Sequence, residues 1–517
     1  ILLKKFSGKL LNFVHICIHT IILVFILNFF YHSLNFVKSG MGSRAMSFDL
    51  QIGYVYLILP ISFMFMFLVS VELLINLFKK IFNYCREKKI LFAFFWFLLV
   101  LMIFGLPIAF ALMIAPGISL FMDGQESMFP MLVMRMYNGM DSFPLMAIPY
   151  FILAGEVMNR GGITERLVKL SHSLIGHLRG GLAHVNILTS ILFAGLSGSA
   201  VADTSAIGSM MIPAMEKNGY TKKFAAAVTA ASSVIGPIIP PSGIMIIYAF
   251  VMNVSVAGLF AAGLVPGLLV GFGLMAMVVY LSKKRNYPVA SKRASINEVA
   301  ISFRGAALPL LTPIIILGGI LAGIFTPTEA AAIACGYAIF ISIFVLRTIK
   351  FKDMPKVLFN AALSSGMILF LVGASTAFAT LVSLTGTAPK AMEIMNLISD
   401  NPLVLLFMVN LLLFFVGMFL DAGPAILILG PVLGPTFVAM GVDPLHFAII
   451  MCVNVTVGLA TPPMGLILFV AAGLSDESVE AIAWEMAPFL IVEIIVIFLI
   501  TYVEAISMTL PRLLGFA

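Results

Sequence analysis

The sequence predicts an all-α polytopic membrane protein built as an inverted repeat, with two re-entrant hairpins and two broken helices. Composition is the first observation: 61% of the 517 residues are hydrophobic, 10% are charged, and the mean hydropathy is +1.12. Water cannot solvate such a chain, so its solvent is lipid. The apolar runs are the second. They are long, separated by turns and free of the ten-residue alternation of a membrane barrel, so the spans are helices. The third is a repeat. Residues 195–248 match residues 417–470 without gaps at Gly195/Gly417, Ala200/Ala422, Gly208/Gly430, Pro213/Pro435, Gly219/Gly441, Ala226/Ala448, Gly236/Gly458, Pro240/Pro462, Pro241/Pro463 and Gly243/Gly465. Chance gives about four identities in so biased a composition, and eight of these ten are Gly or Pro. Gly/Pro-interrupted apolar segments at corresponding places in two halves point to a transporter's substrate and ion site.

Basic residues orient the elements, because Lys and Arg stay on the cytoplasmic side. Lys4, Lys5 and Lys9 precede a span at 11–35, and a second, 51–78, ends at Lys79, Lys80, Arg86, Lys88 and Lys89. A single third span, 90–122, crosses outward to Asp123 and Glu126, and a fourth, 143–157, returns. Residues 165–179 are basic and carry Leu167, Leu170, Leu174, Ile175 and Leu178 at helical spacing, an amphipathic helix along the cytoplasmic interface. The short segments 182–196 and 200–215 lie between Arg179 and Lys217, Lys222 and Lys223, so they form a hairpin opening to the cytoplasm with its tip at 195–199. Residues 224–248 cross outward with a break at 236–243, and 259–281 return to the most basic loop, 283–304. Spans at 308–325 and 329–346 lead to Arg347, Lys350, Lys352 and Lys356. After 357–381, the segments 403–419 and 425–440 form a second hairpin, flanked by Asp400 and Asp443 and therefore opening outside. Residues 444–474 return with a break at 458–463, and 484–508 is the last span. The repeats thus run over about 143–281 and 357–508, their hairpins facing opposite sides as an inverted repeat requires.

A break in lipid strands amides and carbonyls unless they line a cavity or bind something. Half-helix carbonyl ends suit Na⁺, and half-helix N-termini attract an anion. A first ion site therefore combines Ser197, Ser199 and Asp203 with carbonyls near Gly236 and Ile238. A second combines Asp421 and Gly423 with Asn454, Gly458, Ala460 and Thr461. Oxygen ligands with one carboxylate per site suit a hard monovalent cation. A lone serine there is more often a helix cap or an interhelical bond, whereas an intramembrane Asp is functional by default. Glu329, in Thr326-Pro327-Thr328-Glu329, is a capping residue. Glu72, Glu156, Glu493 and Glu504 sit near span ends and are expected to snorkel, and His184 and His446 to pack in the core. Cys17, Cys85, Cys335 and Cys452 have no ligand spacing. The net charge of +7 comes from short clusters between spans, not from a nucleic-acid face. Gly195-Leu196-Ser197-Gly198 also fits the short motif of an intramembrane serine protease, but that reading leaves the second repeat unexplained. A channel is the other alternative.

The runs GLSGSAVADTSAIGSMMIPAMEKNGY, AAVTAASSVIGPIIPPSGIMIIY, GIFTPTEAAA and GLATPPMGLILFV resemble the large membrane subunit of a tripartite ATP-independent periplasmic (TRAP) transporter, over about 90–517. Residues 1–80 resemble the C-terminal half of the small membrane subunit, with 81–89 as a linker. The chain starts at Ile1, with two of the small subunit's usual four spans, so a longer natural N-terminus is expected. The resemblance implies a fused small–large (QM-type) permease of the bacterial inner membrane, as in sialic-acid systems. Such a permease uses a Na⁺ gradient, takes its solute from a periplasmic solute-binding protein and hydrolyses no ATP. It implies an organic anion near Ser199, Ser242 and Thr461, with sialic acid favoured and a C4-dicarboxylate second. Both breaks converge at mid-membrane with amphipathic segments on either flank, and this predicts elevator-type transport, in which hairpins and broken helices slide against a scaffold of residues 1 to about 140 and the central spans.

Overall fold

A computed structural model describes residues 30–35, 37–38, 60, 62, 64, 93–122, 124–287, 293–396, 399, 401–462 and 465–516. The spans expected at 11–35 and 51–78 and the linker 81–89 lie almost entirely outside the described residues, as do Cys17, Glu72, Cys85, Asp123, Asp400 and Pro463. The chain divides into two compact units, Ile1–Trp96 with Ser119–Gln125 and Phe97–Ile118 with Glu126–Ala517. The second carries both repeats, and every described element in it is helical.

The third span is not one helix. It is α1 (Ala93–Ile103) and α2 (Ile108–Met122), because Gly105 turns left-handed at φ +79° and Pro107 lacks the N–H needed to continue. Next comes α3 (Phe129–Met140), which the hydropathy reading passes over, and then α4 (Ala147–Arg160). The interfacial helix is α5 (Ile163–Ile175), tied to the middle of the chain by Arg166, which donates to the Gly305 carbonyl at 3.3 Å.

The first hairpin is α6 (Gly181–Ser197) and α7 (Ala200–Lys217). Gly198 turns the chain at φ +59°, and Ser199 caps α7 by accepting from the Ala202 N–H at 3.4 Å. The first broken helix is α8 (Lys222–Ser233) and α9 (Gly243–Met252). It stops where Pro237, Pro240 and Pro241 remove three donors and restarts on Ser242, which accepts from the Met245 N–H at 3.4 Å. Then follow α10 (Val256–Lys284), α11 (Ile296–Leu321) and α12 (Pro327–Phe340). Glu329 closes a capping box with Thr326 at the start of α12.

The second half repeats this plan. It runs through α13 (Met354–Leu384), α14 (Thr387–Asn396), the hairpin α15 (Pro402–Gly417) and α16 (Ala422–Ala439), the broken helix α17 (Pro444–Gly458) and α18 (Leu466–Ser475), and α19 (Val479–Tyr502). The offset of 222 that pairs Gly195 with Gly417 carries α7 onto α16 end to end and α10 onto the start of α19. It also pairs α5 with α14, a second short helix between a long span and a hairpin. The last span ends sooner than expected: Tyr502 closes α19, and α20 (Ala505–Leu513) is a separate helix.

Packing crosses between the halves. α7 lies on α8 and also on α18, α16 lies on α17 and also on α9, and α10 and α19 pack side by side. A second group forms around α13, which packs on α3 and α4, with α12 on α4 and α11 on α12. Six described helices are long and apolar enough to cross a membrane: Val256–Lys284, Ile296–Leu321, Pro327–Val345, Phe351–Leu384, Ala422–Ala439 and Val479–Tyr502.

One backbone-on-backbone crossing in the second half is glycine on glycine. A Cβ on Gly458 would stand 2.6 Å from the Cα and carbonyl carbon of Gly417, and backbone cannot move aside as a side chain can. Gly458→Ala should lower the thermal midpoint of purified protein by several degrees, for a cost of about 1–3 kcal/mol. Gly473→Ala, where a Cβ meets nothing within 4 Å, should leave it unchanged. Equal midpoints for the two variants would refute the close crossing.

Candidate functional site

Each hairpin tip is seated on the break of its own half. A Cβ on Gly198 would lie 2.6 Å from the Pro241 carbonyl oxygen and 3.5 Å from the Gly243 nitrogen. In the second half the Gly465 N–H donates to the Met418 carbonyl at 3.3 Å, and Gly417 meets Gly458. Tip and break thus cover one another's exposed backbone.

At the first junction Ser197 Oγ donates to Asp203 Oδ1. Ser197 Oγ also receives the Ser199 N–H at 3.4 Å. Asp203 is fully buried, and its Oδ2 has no hydrogen-bond partner among the described residues. That oxygen faces the break: a Cβ on Gly236 would stand 2.5 Å from it. The fold therefore brings Ser197, Ser199, Asp203 and Gly236 together. Ile238 is set apart, its carbonyl oxygen lying 2.6 Å from where a Cβ of Gly263 on α10 would be. Ser242 is buried just across from the tip, beside Gly198.

The second junction is built differently. Asp421 is the cap of α16, exposed, with Oδ1 accepting from the Ala422 N–H at 2.8 Å. Thr461 is buried and donates to the Val457 carbonyl at 2.9 Å, while the Thr461 and Ala460 N–H groups bond the Gly458 and Val457 carbonyls. Gly423 faces α9, with Ile247 the nearest side chain to it. Asn454 turns away from the junction into the bundle. Its Nδ2 donates to Asn410 Oδ1 at 2.6 Å and to the Ile450 carbonyl at 2.8 Å, leaving Oδ1 without a partner. No hydrogen bond joins Asp421 to Asn454 or Thr461 among the described residues.

Asn454 belongs to a buried network that the sequence reading misses. Asn410 on α15 and Thr501 on α19 complete it at 3.0 Å. The first half has a counterpart: Asn186 donates to Thr229 at 2.7 Å, and Ser190 bonds Ser232 at 2.9 Å. Ser232 and Asn454 stand at the same place in the repeat, and this shared polar position is the signal that could have revealed both networks. Tip residues also meet the second helix group, with Pro313 of α11 against Gly195 and Gly155 of α4 against the Leu196 carbonyl.

Residues 95–506 match the family profile of the tripartite ATP-independent periplasmic transporter, DctM component. The chain belongs to this family. Residues 1–80 match the DctQ component of the same transporters, so small and large membrane subunits are joined in one polypeptide. Over 409 residues the chain is 39% identical to the sialic acid TRAP transporter large permease protein SiaM of Vibrio cholerae, covering 79% of this chain and 95% of that one. It is 38% identical to the sialic acid TRAP transporter permease protein SiaT of Haemophilus influenzae (80% and 67%). It is 37% identical to the C4-dicarboxylate TRAP transporter large permease protein DctM of Rhodobacter capsulatus (81% and 98%). The YdaH transporter of Alcanivorax borkumensis shares the fold at a TM-score of 0.55 and 17% identity, over 76% of this chain and 89% of that one. This chain is accordingly a multi-pass TRAP permease of the bacterial inner membrane and not an enzyme, and its family works with a periplasmic solute-binding protein.

Glu493 corrects the sequence reading. It does not snorkel; it is fully buried in α19, and neither carboxyl oxygen has a partner among the described residues. Its repeat mate is Gly271, against which Ile191 packs. Glu156 and Glu504 behave as span-end groups do. Glu156 pairs with Arg160 at 2.8 Å and Glu504 with Arg512. His446 and His184 are core residues, the former bonded to Ser507 at 2.7 Å. A buried polar group without partners costs about 1–3 kcal/mol. Glu493→Leu should therefore raise the thermal midpoint of the purified permease by a few degrees. A fall of similar size would mean that the carboxyl has a partner worth more than its burial costs.

Proposed function

We propose that this permease performs Na⁺-coupled uptake of an organic anion handed over by a periplasmic solute-binding protein. The favoured solute is a hydroxylated carboxylate of the sialic-acid kind, with a C4-dicarboxylate second. One observation carries the cation: Asp203 is buried with an unpartnered oxygen aimed at a break whose glycine leaves room for it. A carboxylate in that position without a counter-charge costs several kcal/mol. A proton or a small cation removes that cost, and hydroxyl and carbonyl oxygens around it suit Na⁺. The solute reading draws on the SiaM, SiaT and DctM relatives and on the hydroxyls of Ser199 and Ser242 at the first junction.

The ion test is uptake in proteoliposomes with the binding protein, as a function of Na⁺ concentration, using N-acetylneuraminate and succinate as probes. Asp203→Asn and Gly236→Ala should raise the Na⁺ concentration for half-maximal uptake about tenfold, the equivalent of about 1.4 kcal/mol. Asp421→Asn should do the same at the second junction, and Ser197→Ala and Thr461→Ala less, since water can replace a neutral ligand. Glu329→Gln should reduce folded protein without moving the curve. An unchanged Na⁺ curve in Asp203→Asn would sink the first ion site.

Transport in this reading is an elevator motion, hairpins and broken helices moving against the group around α13. A Cβ on Gly195 would lie 2.9 Å from Cβ of Pro313, so the pair Gly195→Cys with Pro313→Cys reaches the about 3.5–4.5 Å of a disulfide once the two helices part by under about 1 Å, and it can be oxidised in this state. Oxidation should stop uptake and reduction restore it. Full uptake by the crosslinked protein would rule the motion out.

A further inference from the structure

A cleft of about 490 Å³ lies between α3, α13 and the end of α9. Its wall includes Arg135, Asn138, Thr376, Ala379, Thr380 and Ser383. Among the described residues Arg135 is its only charged one, and none of them brings a carboxylate to the wall. The Arg135 side chain is exposed and has no ion-pair or hydrogen-bond partner among the described residues. A Cβ on Gly139 would collide with the Thr376 side chain, so glycine lets α3 lie close against α13 at the cleft.

Position gives the cleft a direction. Lys350, Lys352 and Lys356 mark the cytoplasmic end of α13, and Thr380 lies about 40 Å along the helix from Met354 at 1.5 Å per residue. The cleft is therefore at the outer end, where the charge rule leaves few basic residues. Its two walls belong to different helix groups: α3 and α13 on one side, and Phe250 and Val251 of the first broken helix on the other.

The hydroxyls decide the ligand class. Thr376 Oγ1 donates to the Gly373 carbonyl at 2.7 Å, Thr380 to that of Thr376 at 2.8 Å, and Ser375 to that of Val372 at 2.7 Å. Their protons are committed to backbone, and what they offer a ligand is lone pairs. One guanidinium fork beside a row of acceptor oxygens complements a carboxylate carried by a body rich in hydroxyl donors. A second carboxylate would find no second cation in the described wall, only the neutral amide of Asn138 and the hydroxyl of Ser383. From this geometry we infer that the Arg135 cleft is an outer subsite that receives a polyhydroxylated monocarboxylate before it reaches the hairpin tips. The inference rests on the uptake reading above and narrows its solute to the hydroxylated class.

The test needs neither transport nor the natural solute, so its failure is separable from failure of Na⁺-coupled uptake. Ala379→Cys places a thiol in the cleft of the full chain, with the labelling of the parent chain subtracted. Its modification rate is compared for anionic sulfonatoethyl and cationic trimethylammonium-ethyl methanethiosulfonate in phosphatidylcholine nanodiscs. The anionic reagent should be favoured about tenfold, as one nearby charge in a hydrated cleft can supply. Arg135→Gln should abolish that preference and Arg135→Lys keep most of it. Gluconate should slow modification at concentrations where succinate does not. A preference that survives Arg135→Gln, or equal protection by succinate, would overturn the subsite as described. So would protection by added phosphatidylglycerol without protection by gluconate, which would assign the arginine to a lipid phosphate.

Discussion

Lipid offers no hydrogen bonds to a chain that stops being helical inside it, and this constraint organises the whole permease. Each half interrupts its helices twice, once at a hairpin tip and once at a proline-rich break, and each interruption is seated on the other. Gly198 presses on the Pro241 carbonyl in the first half. In the second, Met418 accepts from the Gly465 N–H while Gly417 crosses Gly458. Only glycine allows these approaches, since any Cβ at Gly458 would run into main chain. The repeated Gly and Pro positions are thus pairs of facing surfaces, which is why their spacing as well as their composition recurs. Cross-packing of α7 on α18 and α16 on α9 then holds the two junctions in one helix bundle.

That logic explains what was legible in the sequence. Glycines and prolines in an apolar run have few reasons to recur at a fixed offset, so the hairpins and breaks could be placed to within a few residues, as α7 and α16 show. Caps were legible for the same reason: Thr326 and Glu329 stand at the spacing the capping box needs. Hydropathy failed where it carries no phase information. It merged α1 with α2 across Pro107, and it passed over α3 because Arg135 and Asn138 interrupt its apolar run. The proximity of Ser197 to Asp203 followed from their straddling one tip. Which way Ile238 and Asn454 point could not follow from their order, because a residue beside a break faces either the junction or the bundle according to helix phase. Glu493 was misjudged by distance from the helix end, when what decided its burial was the stripe it shares with Phe489, Val496 and Ile497.

The buried polar networks have a different role from the junctions. Asn186 with Thr229 and Ser232, and Asn410 with Asn454 and Thr501, join the rising helix of each hairpin to the first part of the broken helix below the break. Apolar helices in lipid slide past one another at little cost, and a specific interhelical hydrogen bond fixes rotation and register. Both networks lie about a turn or more from the junction they support. Fixing Ser232 and Asn454 fixes the helix phase that carries Gly236 and Gly458 four residues later to face their tips. Side chains a turn away from the junction thereby set the geometry at the break.

The two junctions share a plan but not a charge arrangement. The repeat pairs Asp421 with Ser199, and one turn further on it pairs Asp203 with Ala425. The first half carries its carboxylate not at the cap but in the body of α7, where it is fully buried and bonded to Ser197. The second keeps its carboxylate at the cap, where it is exposed and bonded to the start of α16. Each carboxylate accepts one hydrogen bond, but the fully buried one demands a counter-charge more strongly than the one nearer the surface, because electrostatic interaction strengthens as the local dielectric falls. In the proposed cycle a cation at Asp203 would therefore be held more tightly and released more slowly than one at Asp421. Inherited symmetry has given two similar backbone frames, and a four-residue shift of one acidic side chain makes them unequal.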